Sequence, residues 1–202
     1  MLRTIRILTW GLLAFFAAAV VLALSGVRLP WQPQQALPLA SVIGGPFALA
    51  STRGGLVSSE QLKGRPFAIF FGYTFCPDVC PTTLLDLSNV IKDLGRDADS
   101  MQFLFVSVDP GRDTVEQLKL YLSSFDPHIT GATGSEAQIA DMTRKYRAIY
   151  EKVPGKRADD YTINHTATTY LMDAQGRFQG TVNYQEKPEV VLAKLKRLIA
   201  GG

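Results

Sequence analysis

Two long apolar runs constrain the fold of this chain more than any other feature. PFAIFFG (66–72) and MQFLFVSVD (101–109) are typical of strands buried on both faces of a sheet. Between them, TTLLDLSNVIKDLG (82–95) has apolar residues at helical spacing and ends in a glycine, which favours a helix. A buried strand, a helix and a second buried strand predict a parallel crossover. Hydrophobic residues make up 47% of the 202 residues, enough for a core that needs no disulfide staples.

The patterns further along the chain complete this arrangement. Helices are predicted over 114–125, with Asp113 as the N-cap, and over 135–147, where Ser135 and Gln138 have the spacing of a capping box. A β-hairpin over 166–184 and an amphipathic helix over 188–200 close the chain. The order of elements predicts an α/β, thioredoxin-like fold for residues 46–202, with a mixed central sheet flanked by helices.

The N-terminal segment, residues 1–28, has the composition of a membrane-inserted segment. About 21 uncharged residues separate Arg6 from Arg28, which is long enough for a transmembrane helix. Arg3 and Arg6 before the stretch favour an N-terminus in the cytoplasm and a soluble domain outside it. We therefore expect a single-pass protein of the bacterial inner membrane with its domain in the periplasm. The alternative is a signal peptide with a cleavage site near Ser25, and both alternatives place the domain where thiols can be oxidised.

Residues 29–45 are rich in proline and glutamine and are expected to be a linker.

The charge of the chain excludes nucleic acid as a class of partner. Three of the 21 basic residues lie in the first 28 positions, so the remainder balances its 18 acidic residues. A neutral domain without a basic run is not expected to bind nucleic acid.

Cys76 and Cys80 are the only cysteines of the chain, and both lie between the first predicted strand and the first long helix. Pro81 favours the first helical position, which predicts that Cys80 is the N-cap and that its thiolate is stabilised by the helix terminus. The pair has three possible roles: a structural disulfide, a redox couple or a metal site. A disulfide across so short a loop would restrict the unfolded chain little. Thioredoxin-like oxidoreductases use Cys-x-x-Cys, whereas three residues separate this pair and give the sulfurs room around an ion.

A metal site needs further ligands, and the chain has two histidines. His128 follows a helix and is expected to be an exposed loop residue. His165 directly precedes the predicted hairpin, which a thioredoxin-like sheet places next to the cysteine turn. Two thiolates and one imidazole favour copper(I), and copper(II) when a fourth ligand joins. Structural zinc sites use four protein ligands, so zinc ranks second to copper as the expected metal.

Three motifs resemble the Sco/SenC family of membrane-anchored, thioredoxin-like copper proteins that assist cytochrome c oxidase assembly. They are FGYTFCPDVCPTTL (71–84), SVDPGRDT (107–114) and NHTATTYLMD (164–173), in the family's order. The resemblance implies that Cys76, Cys80 and His165 bind copper. It also implies that Asp109 lies near the site and that Asp78 belongs to the pattern. Asn164 and Thr166 depart from the family's usual aspartate and serine, which changes the surroundings of the histidine and leaves the ligand in place.

The resemblance also implies a function. We expect a metallochaperone rather than an enzyme, with Cys76 and Cys80 as a redox-active pair that delivers copper to the binuclear copper site of cytochrome c oxidase subunit II or reduces its cysteines. Other copper chaperones or thioredoxin-like reductants are expected as further partners. Two alternatives stay open at this point: a thiol–disulfide oxidoreductase or thiol peroxidase of the same fold, and a copper sensor that signals to a membrane partner.

Overall fold

The structure is a computed structural model that describes residues 2–24, 43–156 and 160–201. The chain divides into two units, residues 1–36 and 37–202. The predicted linker lies outside the described residues except for its last three positions, and so does the end of the predicted anchor, residues 25–28.

The first unit contains helix α1 (Leu2–Leu24). Its described apolar side chains are exposed, including Trp10 and Phe15. Among the described residues, no helix is both long enough and apolar enough to cross a membrane. The membrane anchor therefore stays a prediction.

The second unit contains nine strands and five α-helices in its described residues. The strands are β1 Ala48–Ser51, β2 Leu56–Ser58, β3 Phe67–Gly72, β4 Gln102–Ser107, β5 Ile129–Thr133, β6 Tyr150–Pro154, β7 Tyr161–His165, β8 Thr169–Met172 and β9 Phe178–Val182. The helices are α2 Ser59–Leu62, α3 Val79–Leu94, α4 Val115–Leu122, α5 Glu136–Tyr146 and α6 Pro188–Ile199, and a 3-10 helix spans Gly95–Ser100.

Seven of these strands form one mixed sheet, in the order β2-β1-β5-β4-β3-β8-β9. Strands β3, β4 and β5 are parallel, whereas β8 runs antiparallel to β3 and β9 runs antiparallel to β8. The predicted crossover from β3 through α3 to β4 and the predicted β8–β9 hairpin are therefore confirmed. Every residue of β3 is buried, which is why its sequence has no alternation of polar and apolar residues.

The remaining two strands stand apart from this sheet. β6 and β7 pair antiparallel with each other, from Tyr150 opposite His165 to Pro154 opposite Tyr161. We call this pair the β6–β7 ribbon. It carries His165 on its last residue.

The sequence patterns missed the short elements. Strands β1, β2 and β5, helix α2 and the β6–β7 ribbon are only three to five residues long, and most of them mix polar and apolar residues. β5 also contains Gly131, where a Cβ would lie 2.7 Å from side-chain atoms of Leu122 and Thr52. The glycine lets α4 pack closely on the sheet, and the same residue hides the strand from a propensity argument.

The helix termini follow local capping chemistry. The capping box of α5 is present, with Ser135 and Gln138 bonding reciprocally. Gly95 ends α3 at a φ of 58°, as predicted. The N-cap of α4 is Thr114, whose side chain accepts from the backbone N–H of Gln117. The prediction that Asp113 caps this helix is wrong, because its carboxylate is buried and bonded elsewhere, as described below.

The two outer strands of the sheet are short or irregular. β2 has three residues, and the pairing of β9 with β8 shifts register between Leu171 and Met172. Next to β9, the ammonium of Lys194 donates to the backbone oxygen of Thr181 at 2.7 Å.

Candidate metal centre

The cysteine loop connects the buried end of β3 at Gly72 to the start of α3 at Val79. Asp78 is the N-cap of α3, and its backbone oxygen accepts the N–H of Thr82 at 3.2 Å. The prediction that Cys80 caps the helix with Pro81 in the first position is therefore wrong. The helix begins two residues earlier than expected. Pro81 is still tolerated there, since a first-turn N–H has no partner within the helix.

Cys76, rather than Cys80, has its sulfur at the helix terminus. The backbone N–H of Cys80 donates to Cys76 Sγ at 3.4 Å. A hydrogen bond from the Cys80 side chain, reinforced by His165 and by backbone N–H groups, lowers the pKa of Cys76 to about 3. Burial raises the pKa of the Cys80 thiol, and the neighbouring Cys76 sulfur raises it further. The pair therefore consists of a partly buried thiolate at Cys76 and a buried thiol at Cys80.

His165 completes the cluster from the end of β7. Its Nε2 lies 3.3 Å from Cys80 Sγ and 3.9 Å from Cys76 Sγ. Its Nδ1 lies 3.2 Å from the backbone oxygen of Thr166, which assigns the ring proton to Nδ1 and leaves Nε2 free to face the sulfurs. The rings of Phe70 and Tyr73 meet the imidazole edge-on, with centroids 5.9 and 5.8 Å away.

The three ligand atoms lie within 4.8 Å of one another, and they are the one such group of potential metal ligands in the described residues. Bonds of about 2.0–2.3 Å would place sulfur and nitrogen ligands roughly 3.8 Å apart around a three-coordinate ion. The two sulfur–nitrogen distances are 3.3 and 3.9 Å, so the donor set fits a soft cation without rearrangement of the backbone. With both cysteines free, the same sulfurs are also available to form a disulfide.

Gly72 makes room for the buried sulfur. A Cβ on this residue would lie 2.7 Å from Cys80 Sγ and 2.6 Å from the ring of Phe105. A side chain at this position would displace the thiol or the phenyl ring, so the last residue of β3 has to be glycine for Cys80 to occupy its place.

Asp113 fixes the start of the cysteine loop. Its buried carboxylate accepts from the backbone N–H of Thr74 at 3.0 Å, from the Thr74 hydroxyl at 2.5 Å and from the Ser107 hydroxyl at 2.6 Å. Burial raises its pKa, while the hydrogen bonds from Ser107 and Thr74 lower it. Asp113 thus connects the end of β4 to the loop that carries Cys76.

Asp109 is linked through Tyr161 to the strand that ends at His165. It is fully buried, pairs with the guanidinium of Arg112, and accepts from the Tyr161 hydroxyl at 2.7 Å. Tyr161 is the first residue of the strand that ends at His165. Arg112 and Tyr161 are thus its partners, and an effect of Asp109 on the ligands stays a prediction.

Four residues around the site were missed as contributors: Tyr73, Arg112, Asp113 and Tyr161. Three of them lie in the quoted motifs, but the linear sequence shows neither that the Tyr73 hydroxyl accepts from the Ile163 N–H at 3.1 Å nor that Arg112 contacts Tyr161. The available signal in the sequence was Arg112 itself, which lies between Asp109 and Asp113 in SVDPGRDT and had no role assigned to it.

His128 lies away from the cysteines. Its ring nitrogens are 2.7 Å from Asp126 Oδ1 and 3.2 Å from Asp99 Oδ1. The hydrogen bond to Asp126 raises its pKa. As expected from the sequence, this histidine is not one of the clustered ligands, so it does not supply the fourth protein ligand that structural zinc would need.

Comparisons with known proteins identify relatives of this chain. The family model described as SCO1/SenC matches residues 35–200. The chain is similar to an SCO2-like protein of Rickettsia prowazekii, with 41% identity over 137 residues and 67% of each chain covered. It is also similar to the mitochondrial SCO2 homolog of Bos taurus, with 33% identity over 204 residues, covering 98% of this chain and 76% of the bovine protein.

Solved structures give the same relationship. ScoI of Bradyrhizobium japonicum, solved with copper bound, is 51% identical at a TM-score of 0.73, covering 77% of this chain and 99% of that one. Yeast Sco1 with copper bound is 32% identical at a TM-score of 0.73, covering 79% and 90%. The predicted mixed α/β, thioredoxin-like fold is thereby confirmed. A match across most of the chain, together with identities above 30%, establishes that the chain is a member of the SCO1/SenC family.

Proposed function

We propose that this protein is a copper chaperone of cytochrome c oxidase assembly, with Cys76, Cys80 and His165 as the copper ligands. The supporting observation is the convergence of two sulfurs and one imidazole nitrogen within 4.8 Å, from segments almost 90 positions apart in sequence. Two soft sulfur donors and an imidazole suit copper(I), and an added water or partner ligand would suit copper(II). The solved relatives that contain copper support the choice of this metal over zinc.

Copper is the cargo in this proposal, and the recipient is the binuclear copper site of cytochrome c oxidase subunit II. Transfer proceeds by ligand exchange, in which thiolates of the recipient replace the three protein ligands one at a time. His165 lies on the separate β6–β7 ribbon, so it can leave the metal without breaking a hydrogen bond of the main sheet. Cys76 is partly exposed, which gives the incoming thiolate access.

A thiol-redox role on the same residues is the second candidate, and the asymmetry of the pair supports it. The Cys76 thiolate would attack a partner disulfide and form a mixed disulfide, releasing one partner thiolate. Cys80 would then transfer its proton and attack Cys76, releasing the second partner thiol and leaving a Cys76–Cys80 disulfide. Two electrons pass from this pair to the partner, and the disulfide formed cannot bind copper.

Competition for copper(I) with a chromophoric chelator tests the ligand set on the full-length chain in detergent. The wild type is expected to bind one copper(I), and His165→Ala is expected to bind it at least about tenfold more weakly. His128→Ala, which removes the other histidine, serves as the matched control and should retain wild-type affinity. Wild-type affinity in His165→Ala would remove the imidazole from the proposed site.

Catalytic consumption of a disulfide or of peroxide by the reduced, metal-free protein tests the second candidate. Turnover that is lost in Cys76→Ser and insensitive to His165→Ala would favour an oxidoreductase or a peroxidase over a chaperone. Stoichiometric reduction of a partner disulfide without turnover would instead fit the thiol-redox role of a chaperone.

We also propose the cellular arrangement of the chain. Residues 1–28 anchor it in a bacterial inner membrane, and residues 46–202 form the copper-binding domain in the periplasm. Residues 29–45 link the anchor to the domain. The exposed apolar side chains of α1, Trp10 and Phe15 among them, support an anchor. Alkaline extraction of membranes tests it, because an integral protein stays in the pellet whereas a peripheral one is released. A shorter mature chain, starting near residue 26, would show cleavage of a signal peptide instead.

A further inference from the structure

The position of His165 depends on contacts between the β6–β7 ribbon and the rest of the domain. The strands of the ribbon pair with each other and not with the seven-stranded sheet. The ribbon is tied to the sheet by the short connection from His165 to Thr169, the first residue of β8. Its remaining contacts with the body of the domain are made by side chains, which therefore help to set the distance from the imidazole to the two sulfurs.

Arg112 contacts both segments that carry the ligands. Its Nη1 donates to the backbone oxygen of Tyr161 at 3.0 Å, and its guanidinium carbon lies 3.6 Å from the centroid of the Tyr161 ring. On the other segment, the same carbon lies 4.8 Å from the ring centroid of Phe75, the residue directly before Cys76. One side chain thus connects the cysteine loop to the strand that ends at His165.

The guanidinium is itself held in place. Its Nε pairs with the fully buried carboxylate of Asp109, which also accepts from the Tyr161 hydroxyl. Its Nη2 is buried and has no hydrogen-bond partner among the described residues. The faces of the surrounding rings therefore have to stabilise the charge that this nitrogen carries. A lysine at this position would keep the ion pair and lose the planar group that stacks and donates along two directions.

We infer that Arg112 is a positioning residue for the metal centre: it clamps the β6–β7 ribbon to the cysteine loop and so sets the reach of His165. The inference rests on the proposed binding of copper by Cys76, Cys80 and His165. Arg112 acts through His165 and touches none of the three ligand atoms. Its removal should weaken copper binding only by what the imidazole contributes.

A double-mutant cycle tests this dependence on the full-length chain in detergent. Arg112→Met keeps an unbranched apolar stem, removes the guanidinium, and is expected to weaken copper(I) binding about tenfold. In a His165→Ala background, the same substitution should change affinity by less than about twofold, because the residue it positions is gone. Equal losses in both backgrounds would overturn the inference. Tyr161→Phe, which keeps the ring and removes the hydroxyl, is expected to have a smaller effect than Arg112→Met.

Hydrogen exchange in the reduced, metal-free protein gives a second readout. The Ile163 amide, which bonds the Tyr73 hydroxyl, should exchange at least about tenfold faster in Arg112→Met, while amides of β4 keep their wild-type rate. Unchanged exchange at Ile163 would overturn the clamp. Faster exchange in β4 as well would mean that Arg112→Met unfolds the whole domain. In that case Arg112→Lys, which keeps the ion pair, has to show faster exchange at Ile163 with unchanged rates in β4.

The two readouts separate this inference from the proposed function. If the wild-type chain fails to bind copper(I), the proposed function is rejected, whereas the exchange experiment still decides whether Arg112 holds the ribbon. If copper binds and both Arg112 readouts stay at wild-type values, the clamp is rejected and the proposed function stands.

Discussion

At the scale of single residues, the cysteine pair depends on the lack of a side chain at Gly72. The thiol of Cys80 fills the space that a Cβ would take, and Phe105 closes the other side. Near the start of the loop, Asp113 holds Thr74 by two hydrogen bonds. The positions of the sulfurs are thus determined by buried neighbours that bind no metal themselves.

Gly72→Ala is expected to destabilise the protein by about 1–3 kcal/mol through overpacking, and to weaken copper(I) binding by displacing Cys80. Urea unfolding and chelator competition measure the two effects. Gly111→Ala is the matched control, because a Cβ there would meet its nearest atoms at 3.9 and 4.0 Å, which is ordinary contact. Equal stability of the two variants would contradict the packing argument.

The two cysteines should also differ in reactivity. Cys76 is partly exposed and its lowered pKa keeps it ionised at about pH 6, whereas Cys80 is buried as a thiol. Limiting iodoacetamide on the reduced, metal-free protein is expected to alkylate Cys76 roughly tenfold faster than Cys80, as measured by peptide mass spectrometry. Preferential labelling of Cys80 would reverse the assignment of thiolate and thiol.

At the scale of elements, long periodic segments could be predicted and short ones could not. The buried strands β3 and β4, helix α3 and the capping box at Ser135 follow from local patterns and were confirmed. Two helix starts differ from their predictions. Asp113 does not cap α4, because its carboxylate bonds to Thr74 and Ser107. Helix α3 begins two residues before the position that Pro81 implies. The β6–β7 ribbon has no periodic signal, so the sequence predicts that His165 lies near the cysteine turn but does not predict the strand that carries it.

The capping box of α5 gives a prediction at this scale. Ser135→Ala removes the hydroxyl that accepts the Gln138 N–H and donates to Gln138 Oε1, and is expected to cost about 1 kcal/mol of unfolding free energy. Ser124→Ala, at an exposed position after α4, is a control that should lie within about 0.5 kcal/mol of wild type. Denaturant titration of both variants checks the difference; equal midpoints would mean that the box contributes nothing.

At the scale of the whole molecule, His128 joins two parts of the chain that do not belong to the metal centre. It bonds Asp99 in the 3-10 helix and Asp126 in the segment before β5. Its pKa is raised in the folded state, chiefly by the hydrogen bond to Asp126. The stabilisation is therefore fully present below the unfolded pKa and is lost as the pH rises through the raised folded value.

His128→Gln is accordingly expected to be less stable than wild type at about pH 5.5, and closer to wild type at about pH 8.5. The imidazole is 36% exposed, so solvent screening limits the difference to about 0.5 kcal/mol. Urea unfolding at both pH values measures it, and copper(I) affinity should not change. A pH-independent difference between the two proteins would show that the charge on His128 has no part in stability.

The outer edges of the sheet have a consequence for how this protein meets others. β2 offers only three residues of backbone to an added strand. At β9 the pairing with β8 is irregular, and the ammonium of Lys194 occupies the backbone oxygen of Thr181, which an added strand could otherwise bond. Growth by strand addition, the route to ordered self-aggregation, is disfavoured at both margins. A copper carrier of the kind proposed above would thereby be kept from pairing with copies of itself while it searches for its recipient.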